Sequence, residues 1–419
     1  MKICYLLIGI FGFVVELGAQ KISLEQYREQ VLNYNQDIQK SQEAVAGALY
    51  ALKQIRSRFF PALDASGNYS FQPEMVEFFP GTDLKRDNYG VEVRLIQNVY
   101  SGRYLQTQYK MSDLQQFITQ LQSDHAITHV RYTADVIYWT AVANRDLFVL
   151  SEEYLFLIRE LKSLIYKRFK EGAIARTDLL MVENRLKEAE IQRSTAFLNH
   201  KTALQALNVL RGCVPDLEVV LTDSIQQAII LPQHRMLSEV LKQRSDYQVA
   251  IQNIKLMELQ TDLSRSNYFP QIIFGIKERF GTTQINIDGK AKWTTTFYTQ
   301  INIPIFHWGA LRQENRKNRT REIVRELERS QLKDQVNQEL SQIWEQLTET
   351  ARKLKIVYSS LAVAQDNLQL NTFSYNEGKL PILDVLSAQV SWLQAYTHVV
   401  MTNYQYRIAL AQYNKICGE

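Results

Sequence analysis

Two aspartates at equivalent places in the chain are the residues best suited to chemistry. Each follows a short turn that contains a glycine: Asp178 comes after Gly172, and Asp384 comes after Gly378. A glycine in this position is typical of a helix C-terminus, because it adopts the left-handed backbone conformation without steric cost. Pro381 suits the first turn of the helix that comes next. We therefore predict that each aspartate lies near the N-terminus of a helix that follows a tight turn.

Two roles are open to these carboxylates. At a helix N-terminus each would be stabilised by the helix dipole by about 0.3 to 1 kcal/mol, and this structural role requires no ligand. Several such carboxylates gathered around an aqueous opening would instead attract cations and would bind a blocking divalent ion. The residues alone do not decide between the two roles.

No other group of residues indicates catalysis, a cofactor or a metal. The sequence contains no Gly-rich phosphate loop, no zinc-type cysteine pair and no His-Glu-x-x-His motif. His125 and His129 would be neighbours on a helix, but a metal site needs three or four ligands and no third is apparent. No nucleophile is paired with a base. We expect no catalytic residue, no metal and no cofactor, and therefore a protein that is not an enzyme.

Charge and cysteine content indicate no further functional site. The formal net charge is +4, and the most basic segment, Arg312 to Arg329, is interleaved with glutamates, which is typical of a solvated helix face. We therefore expect no nucleic-acid partner. Cys213 and Cys417 do not make a disulfide framework, and their pairing stays open.

Residues 1–19 have the features of an export signal peptide. Lys2 precedes an apolar run from Ile3 to Val15, and Leu17-Gly18-Ala19 provides a small-residue cleavage site. The run is too short to span a bilayer as a helix, although a single N-terminal anchor is the alternative. No later stretch has the length and hydropathy of a membrane helix. A place in a membrane would then require a closed β-barrel, which satisfies every backbone polar group in lipid.

The rest of the chain consists of two repeats, residues 20–213 and 214–419. Motifs recur at an offset of 209 residues in the first part of each repeat and of 206 residues thereafter. The recurring pairs are Asp37 and Asp246, Phe59-Phe60-Pro61 and Tyr268-Phe269-Pro270, Asn98-Val99-Tyr100 and Pro304-Ile305-Phe306, Phe169 to Gly172 and Tyr375 to Gly378, and Asp178 and Asp384. The change of offset places an insertion or deletion in an exposed loop between the second and third pairs.

Each repeat is predicted to fold as helix, strand, loop, strand, very long helix, turn and helix. The first helix is expected over Ser23–Arg58, and Pro61 and Pro270 stop the helices before them. Strands are predicted at about 63–72, 90–99, 271–280 and 294–304. They alternate polar and apolar residues and are flanked by aromatic residues, which is typical of membrane β-strands. A half-buried sheet of a soluble protein also alternates; the export signal and the aromatic flanks favour the membrane.

Four strands are too few to close a barrel, because closed barrels begin at about eight strands. Two copies of the chain would supply eight strands and three copies would supply twelve. We therefore predict an oligomer that shares one barrel.

Two long segments, Arg103 to about Phe169 and Ala310 to Glu377, contain neither proline nor glycine. Apolar residues in the second follow a 4-3 spacing that indicates a coiled-coil seam. The seam residues are Val336, Leu340, Ile343, Leu347, Thr350, Leu354, Val357, Leu361, Ala364 and Leu368. Further apolar residues beside the seam predict helices that contact more than one neighbour, as in a wall of helices around water.

These features together resemble the TolC family of outer-membrane efflux proteins over essentially the whole mature chain. The resemblance depends on Ser23-Leu24-Glu25, the aromatic-proline motif before the strands, the Pro-Ile-Phe-x-x-Gly motif at Pro304–Gly309 and the duplicated aromatic-x-x-Gly turn. It implies a homotrimer with a twelve-strand outer-membrane β-barrel and a twelve-helix periplasmic tunnel. It also implies a periplasmic membrane-fusion adaptor and an inner-membrane transporter of the RND, ABC or MFS type. The expected function is a passive exit duct for efflux or type I secretion.

The same resemblance gives the turn residues a role in a periplasmic gate. Asp384 matches an aperture aspartate, Thr177 and Asp178 match the equivalent turn of the other repeat, and Tyr375 matches an aromatic residue of the closed state. Leu380 and Ser387 stand where the best-known member of the family has an arginine and a second aspartate, so that the salt-bridge latch is missing or rewired. Asn98 likewise replaces an expected proline.

The alternative function is a periplasmic coiled-coil scaffold or adaptor without a pore. Such a protein would share the heptad pattern, but it would have no need of strands with a lipid-facing side.

Overall fold

The computed structural model describes residues 20–74, 76–226, 230–282 and 287–419. The predicted signal peptide, residues 1–19, lies outside the described residues.

The described part of the first repeat contains nine elements. They are β1 (Gln20–Ile22), α1 (Leu24–Tyr34), α2 (Gln36–Ser57), β2 (Ala62–Phe71), β3 (Glu77–Phe79), β4 (Thr82–Asp83), β5 (Asp87–Ser101), α3 (Tyr104–Lys170) and α4 (Arg176–Leu210). The second repeat contains β6 (Val219–Leu221), α5 (Leu237–Gln243), α6 (Ser245–Ser266), β7 (Gln271–Gly281), β8 (Lys292–Asn302), α7 (Ala310–Asn376) and α8 (Ile382–Cys417). The two longest helices, α3 and α7, have 67 residues each.

The prediction of one helix over Ser23–Arg58 was wrong. The first helix begins at a capping box, in which Ser23 and Gln26 bond each other's backbone N–H groups. It ends at Asn35, whose ψ of 126° leaves the helical region, and α2 begins at the next residue. Asparagine is a poor helix former because its side chain competes for backbone hydrogen bonds, so the chain turns there.

The chain divides into two compact units, and each takes segments from both repeats. The first unit contains the residues up to Asn35 together with His129–His234 and Ser341–Lys415. The second contains Gln36–Thr128, Arg235–Leu340 and Ile416–Glu419.

A partly buried polar network in the first unit fixes its N-terminal segment. The Asp223 carboxylate accepts hydrogen bonds from the Tyr138 hydroxyl at 2.6 Å and from the Leu24 backbone N–H at 2.8 Å. Arg145 donates to the Asp223 carbonyl at 3.0 Å. Burial, together with the bond to Asp223, raises the pKa of Tyr138. Ile22, just before α1, pairs with Leu221 in a short parallel sheet.

The second unit contains a four-stranded antiparallel sheet of order β2-β5-β7-β8. The strands of the second repeat thus continue the sheet of the first, and β2 and β8 are its edges. Hydrogen bonds also join helices of this unit: Ser41 of α2 bonds Ser123 of α3 at 2.9 Å, and Asn318 of α7 donates to Ser264 of α6 at 3.2 Å. A separate two-stranded sheet joins β3 and β4.

The predicted seam of α7 is buried along much of its length. Val336, Leu340, Ile343, Leu347, Thr350 and Leu354 are buried, and Val357, Leu361, Ala364 and Leu368 are partly buried. No helix in the described part of the chain combines the length and the hydropathy that a membrane crossing requires.

Replacing Leu347 by alanine tests the seam. Leu347 is fully buried, and a Leu→Ala cavity costs about 2 to 5 kcal/mol. We expect Leu347→Ala to lower the urea concentration at the midpoint of unfolding. Circular dichroism of the protein in detergent would monitor the unfolding. Leu347→Met, which conserves volume, should cost less than about 1.5 kcal/mol. Equal midpoints for the alanine variant and the unchanged chain would contradict the buried seam.

Candidate functional site

The two predicted turns have the same backbone hydrogen bonds. After α3, the N–H groups of Gly172 and Ala173 donate to the carbonyls of Phe169 at 3.0 Å and Arg168 at 2.9 Å. After α7, Gly378 and Lys379 donate to Tyr375 at 3.0 Å and Ser374 at 2.9 Å. Both glycines have left-handed φ values, 75° at Gly172 and 72° at Gly378. The sixth-to-first bond and the left-handed glycine together define a Schellman C-terminus, and it recurs in both repeats.

The predicted gate aspartates lie in the first turns of the two following helices. Asp178 and Asp384 are the acidic residues in the first turns of α4 and α8, and each N–H donates to a carbonyl three residues earlier at 3.2 Å. Both aspartates are partly exposed, and Thr177 is exposed. Pro381 stands one residue before α8 rather than within it. Within the described residues, neither carboxylate forms an ion pair with the side chains around it.

Tyr375 is held by an arginine that the sequence analysis missed. The Arg168 guanidinium lies over the Tyr375 ring, 4.9 Å from its centroid. It also donates to the carbonyl oxygens of Tyr375 at 3.4 Å and Asn376 at 3.2 Å. These carbonyls lie at the C-terminus of α7, where a cation is favoured by the helix dipole. Arg168 therefore fastens the end of α7 to the end of α3.

This contact is absent from the other turn because the repeats differ at one position. The repeat offset places Ser374 where the first repeat has Arg168. A serine cannot reach across to the end of α3 as an arginine does. Comparison of the two repeats residue by residue could have drawn attention to Arg168, since an arginine beside a helix C-terminus is a capping candidate.

An apolar cluster lies beneath both turns and fixes their positions. It contains Leu150, Tyr154, Leu155, Ile158, Leu161, Ile165, Leu179, Val182, Leu186, Ala189, Tyr375, Ile382, Val385, Leu386, Trp392 and Leu393. Four helices contribute to it, so the turns are set on a packed core. The Tyr375 hydroxyl is buried with no hydrogen-bond partner within the described structure.

The four-stranded sheet has one apolar face and one polar face. In register, Leu63, Leu95, Ile276 and Phe297 share a rung on the apolar face. Apolar side chains that are more than half exposed on this face are Leu63, Tyr69, Phe71, Val91, Trp293, Phe297 and Ile301. On the polar face of the two central strands, the Glu92 side chain is 13% exposed, and Arg94, Lys277 and Arg279 are partly buried. The apolar side is thus the more open one, which is the reverse of a sheet that covers a core in water.

The two prolines of the repeated motif lie between a helix and a strand. Pro61 follows α2 and precedes β2, and Pro270 follows α6 and precedes β7. Neither position requires a backbone N–H for a sheet ladder, so proline is accepted there.

The described residues contain no group of three or more His, Cys, Asp or Glu side chains that could hold a metal ion. Within the same residues Cys213 and Cys417 form no disulfide.

Residues 27–212 and 236–419 match the family of outer membrane efflux proteins. The chain belongs to this family, and the resemblance inferred from the sequence is confirmed.

Individual relatives agree with this assignment. Nodulation protein T of Rhizobium leguminosarum bv. trifolii is 22% identical over 379 residues, which are 88% of this chain and 79% of that protein. Among solved structures, CusC superposes with a TM-score of 0.81 at 16% identity and covers 94% of this chain and 92% of its own. The Campylobacter jejuni CmeC outer membrane channel has a TM-score of 0.79 at 17% identity, with coverages of 94% and 85%. The open state of the Neisseria gonorrhoeae MtrE outer membrane channel has a TM-score of 0.79 at 16% identity, with coverages of 94% and 88%. These structures share the mixed helix and strand fold.

Replacing Arg168 by glutamine tests its hold on the end of α7. The change removes the cation–π contact and the charged hydrogen bonds to two carbonyls, so we expect faster amide hydrogen exchange over residues 370–380. Lys170→Gln is the control, because Lys170 lies over Tyr166 of its own helix. Unchanged exchange in the Arg168 variant would show that the apolar cluster alone holds the turn.

Proposed function

We propose that this chain is one protomer of a homotrimeric outer-membrane exit duct. Its sheet would join those of two other copies in a twelve-strand barrel, and its long helices would form a twelve-helix periplasmic tunnel. The duct is passive and carries no enzymatic activity. Cargo would reach it through a periplasmic adaptor from an inner-membrane transporter, for efflux or type I secretion.

The observation that carries this proposal is the open apolar face of the sheet. A lipid-facing strand alternates outward apolar residues with residues that face water inside the barrel. The exposed Leu63 and Phe297 of one rung fit the lipid side. Aromatic residues such as Trp293 and Phe71 lie near the strand ends, as at a headgroup level. A scaffold protein in water would expose this apolar surface to solvent with nothing to cover it.

The edges of the sheet support the oligomer. β2 and β8 each present one side with unpaired backbone groups, and such edges invite pairing with another strand. Antiparallel pairing of β8 with β2 of another copy would continue the order already found inside the chain. Three copies complete a ring of twelve strands.

The repeat also indicates which residues meet across that junction. Inside the chain, Gly102 lies so close to Phe269 that a Cβ on Gly102 would stand 2.6 Å from the Phe269 Cβ. The repeat offsets make Trp308 the equivalent of Gly102, and Phe60 the equivalent of Phe269. Trp308 is 91% exposed and Phe60 is 62% exposed. A second copy would bring these two residues together.

Two further observations favour this junction. Trp308 has a φ of 45°, and such strain in a non-glycine residue costs about 1 to 3 kcal/mol unless surrounding contacts compensate. The helix α2 buries Ile38, whereas its equivalent α6, with neighbours on both sides, buries Gln252, Ile254, Ser264 and Ser266. The second side of α2 is thus available to another copy.

A disulfide trap tests this junction. Phe60→Cys combined with Trp308→Cys should give covalent dimers and trimers on oxidation. The equivalent pair within the chain is in direct contact, so a small shift would bring the two Cβ atoms to the separation of about 3.8 Å that a disulfide needs. Each single variant is the control for reactions of Cys213 and Cys417. A ladder that stops at the dimer would indicate a closed two-copy assembly, and the absence of intermolecular products would contradict the junction.

The aspartates at the two turns fit a gate in this assembly. Three copies would place six carboxylates, Asp178 and Asp384 from each, around the periplasmic opening. Neither carboxylate has an ion-pair partner in the described structure, so both are available to ions in solution. Thr177 stands beside Asp178, and Tyr375 would help to hold the closed state through its contact with Arg168.

Single-channel recording in planar bilayers tests the duct and the gate together. We expect a cation-selective pore whose selectivity and divalent block weaken in Asp178→Asn/Asp384→Asn. The control is Glu188→Gln, which removes an exposed acid that is paired with Arg185. A pore unaffected by the double change would leave the aspartates as helix-stabilising residues. Folded protein that needs no detergent and conducts no current would favour the periplasmic scaffold.

A further inference from the structure

Five charged side chains lie together on the polar face of the sheet, on two adjoining groups of residues in register. One group is Asp64, Arg94, Lys277 and Thr296, and the other is Ser66, Glu92, Arg279 and Thr294. Three of the five charges are positive and two are negative. Each copy of the chain therefore has one surplus positive charge at this level.

The ion pairs within the cluster do not use all the hydrogen-bond donors of its positive side chains. Arg94 donates to Glu92 from Nη2 at 2.7 Å and from Nε at 3.0 Å, and Lys277 lies 2.8 Å from the same carboxylate. One carboxylate thus serves two cations. Each cation consequently keeps unused donors that another oxyanion would satisfy.

Arg279 has no carboxylate within ion-pair distance in the described structure. Its Nη2 donates to the Thr282 carbonyl at 3.2 Å. Its side chain lies along the surface beside Gly90, where a Cβ would stand 3.0 Å from the Arg279 Nε. Gly90 therefore leaves the space that the guanidinium occupies.

The other acids of these strands do not neutralise the cluster. Glu278 is on the apolar face, where it accepts a hydrogen bond from Thr295 at 2.6 Å. Asp87 is on that face too, and it accepts a hydrogen bond from Tyr69 at 2.7 Å. Asp64 is on the polar face and is included in the balance of charges.

We propose that Arg94, Lys277 and Arg279 form an anion-selecting belt on the inner wall of the duct. The inference rests on the proposed function, in which the polar face lines the water-filled passage of three copies. The belt favours solutes that carry carboxylate, sulfate or phosphate groups, since guanidinium groups bind such oxyanions through paired hydrogen bonds. Rings of charged side chains select ions of the opposite sign. This belt is opposite in sign to the carboxylates at the helix turns.

The expected effect is modest but measurable. A unit charge acting through water over about 10 Å changes the local concentration of a monovalent ion about twofold. Salt at 0.15 M reduces this effect, because the screening length is then about 8 Å. Recordings at low ionic strength are therefore the sensitive ones.

Reversal potentials across a KCl gradient test the belt, with potassium and chloride as the probes. Lys277→Gln and Arg279→Gln should shift the ratio of chloride to potassium permeability towards potassium by about twofold at low salt. Glu92→Gln removes a negative charge at the same level and should shift that ratio towards chloride. Glu278→Gln is the matched control, because this glutamate is on the opposite face, and it should leave the reversal potential unchanged.

The lysine and glutamate variants are expected to shift the reversal potential in opposite directions, and this makes the test decisive. If the reversal potential were unchanged in the Lys277, Arg279 and Glu92 variants, the belt would be overturned, whereas the proposed duct would stand. Shifts of the same sign in the lysine and glutamate variants would also overturn it. The absence of any pore would overturn the duct, and the belt with it.

Discussion

The unpaired backbone groups along β2 and β8 are the constraint on which the rest of the proposed assembly depends. Each unsatisfied N–H or C=O in hydrocarbon costs several kcal/mol. A sheet with an apolar outer face can enter lipid only after both edges are closed, and one chain cannot close four strands on itself. The duplicated sequence would ease this closure, because its two repeats already make one continuous sheet with only two edges to pair.

Local patterns predicted the elements whose burial follows a regular period. The 4-3 spacing from Val336 to Leu354 could be recognised because each contact follows from its position on one helix, and the alternation in the strands was recognisable for the same reason. The break at Asn35 depended on a single residue within a polar, helix-like segment. The short strands Gln20–Ile22 and Val219–Leu221 have no detectable period, and their pairing joins residues almost 200 positions apart.

The candidate sites were predictable to different degrees. The repeat indicated the two turns and their aspartates directly, and the structure places these residues in equivalent first turns. The hold of Arg168 on Tyr375 required knowledge of which helix ends lie side by side. The pairing of Glu92 with Lys277 required the register between strands from different repeats, which alternation alone cannot supply. Alternation identified the polar face but not the balance of charge on it.

The single arginine at the helix ends has a consequence for symmetry. Two turns with the same hydrogen bonds would give a trimer a nearly sixfold rim, but Arg168 in one repeat and Ser374 in the other leave only every second joint fastened. The proposed rim would then have alternating stiff and compliant joints, and its easiest motion would keep threefold rather than sixfold symmetry. A duplicated sequence would give such a wall uniform turns, and the difference between Arg168 and Ser374 would determine where the wall yields.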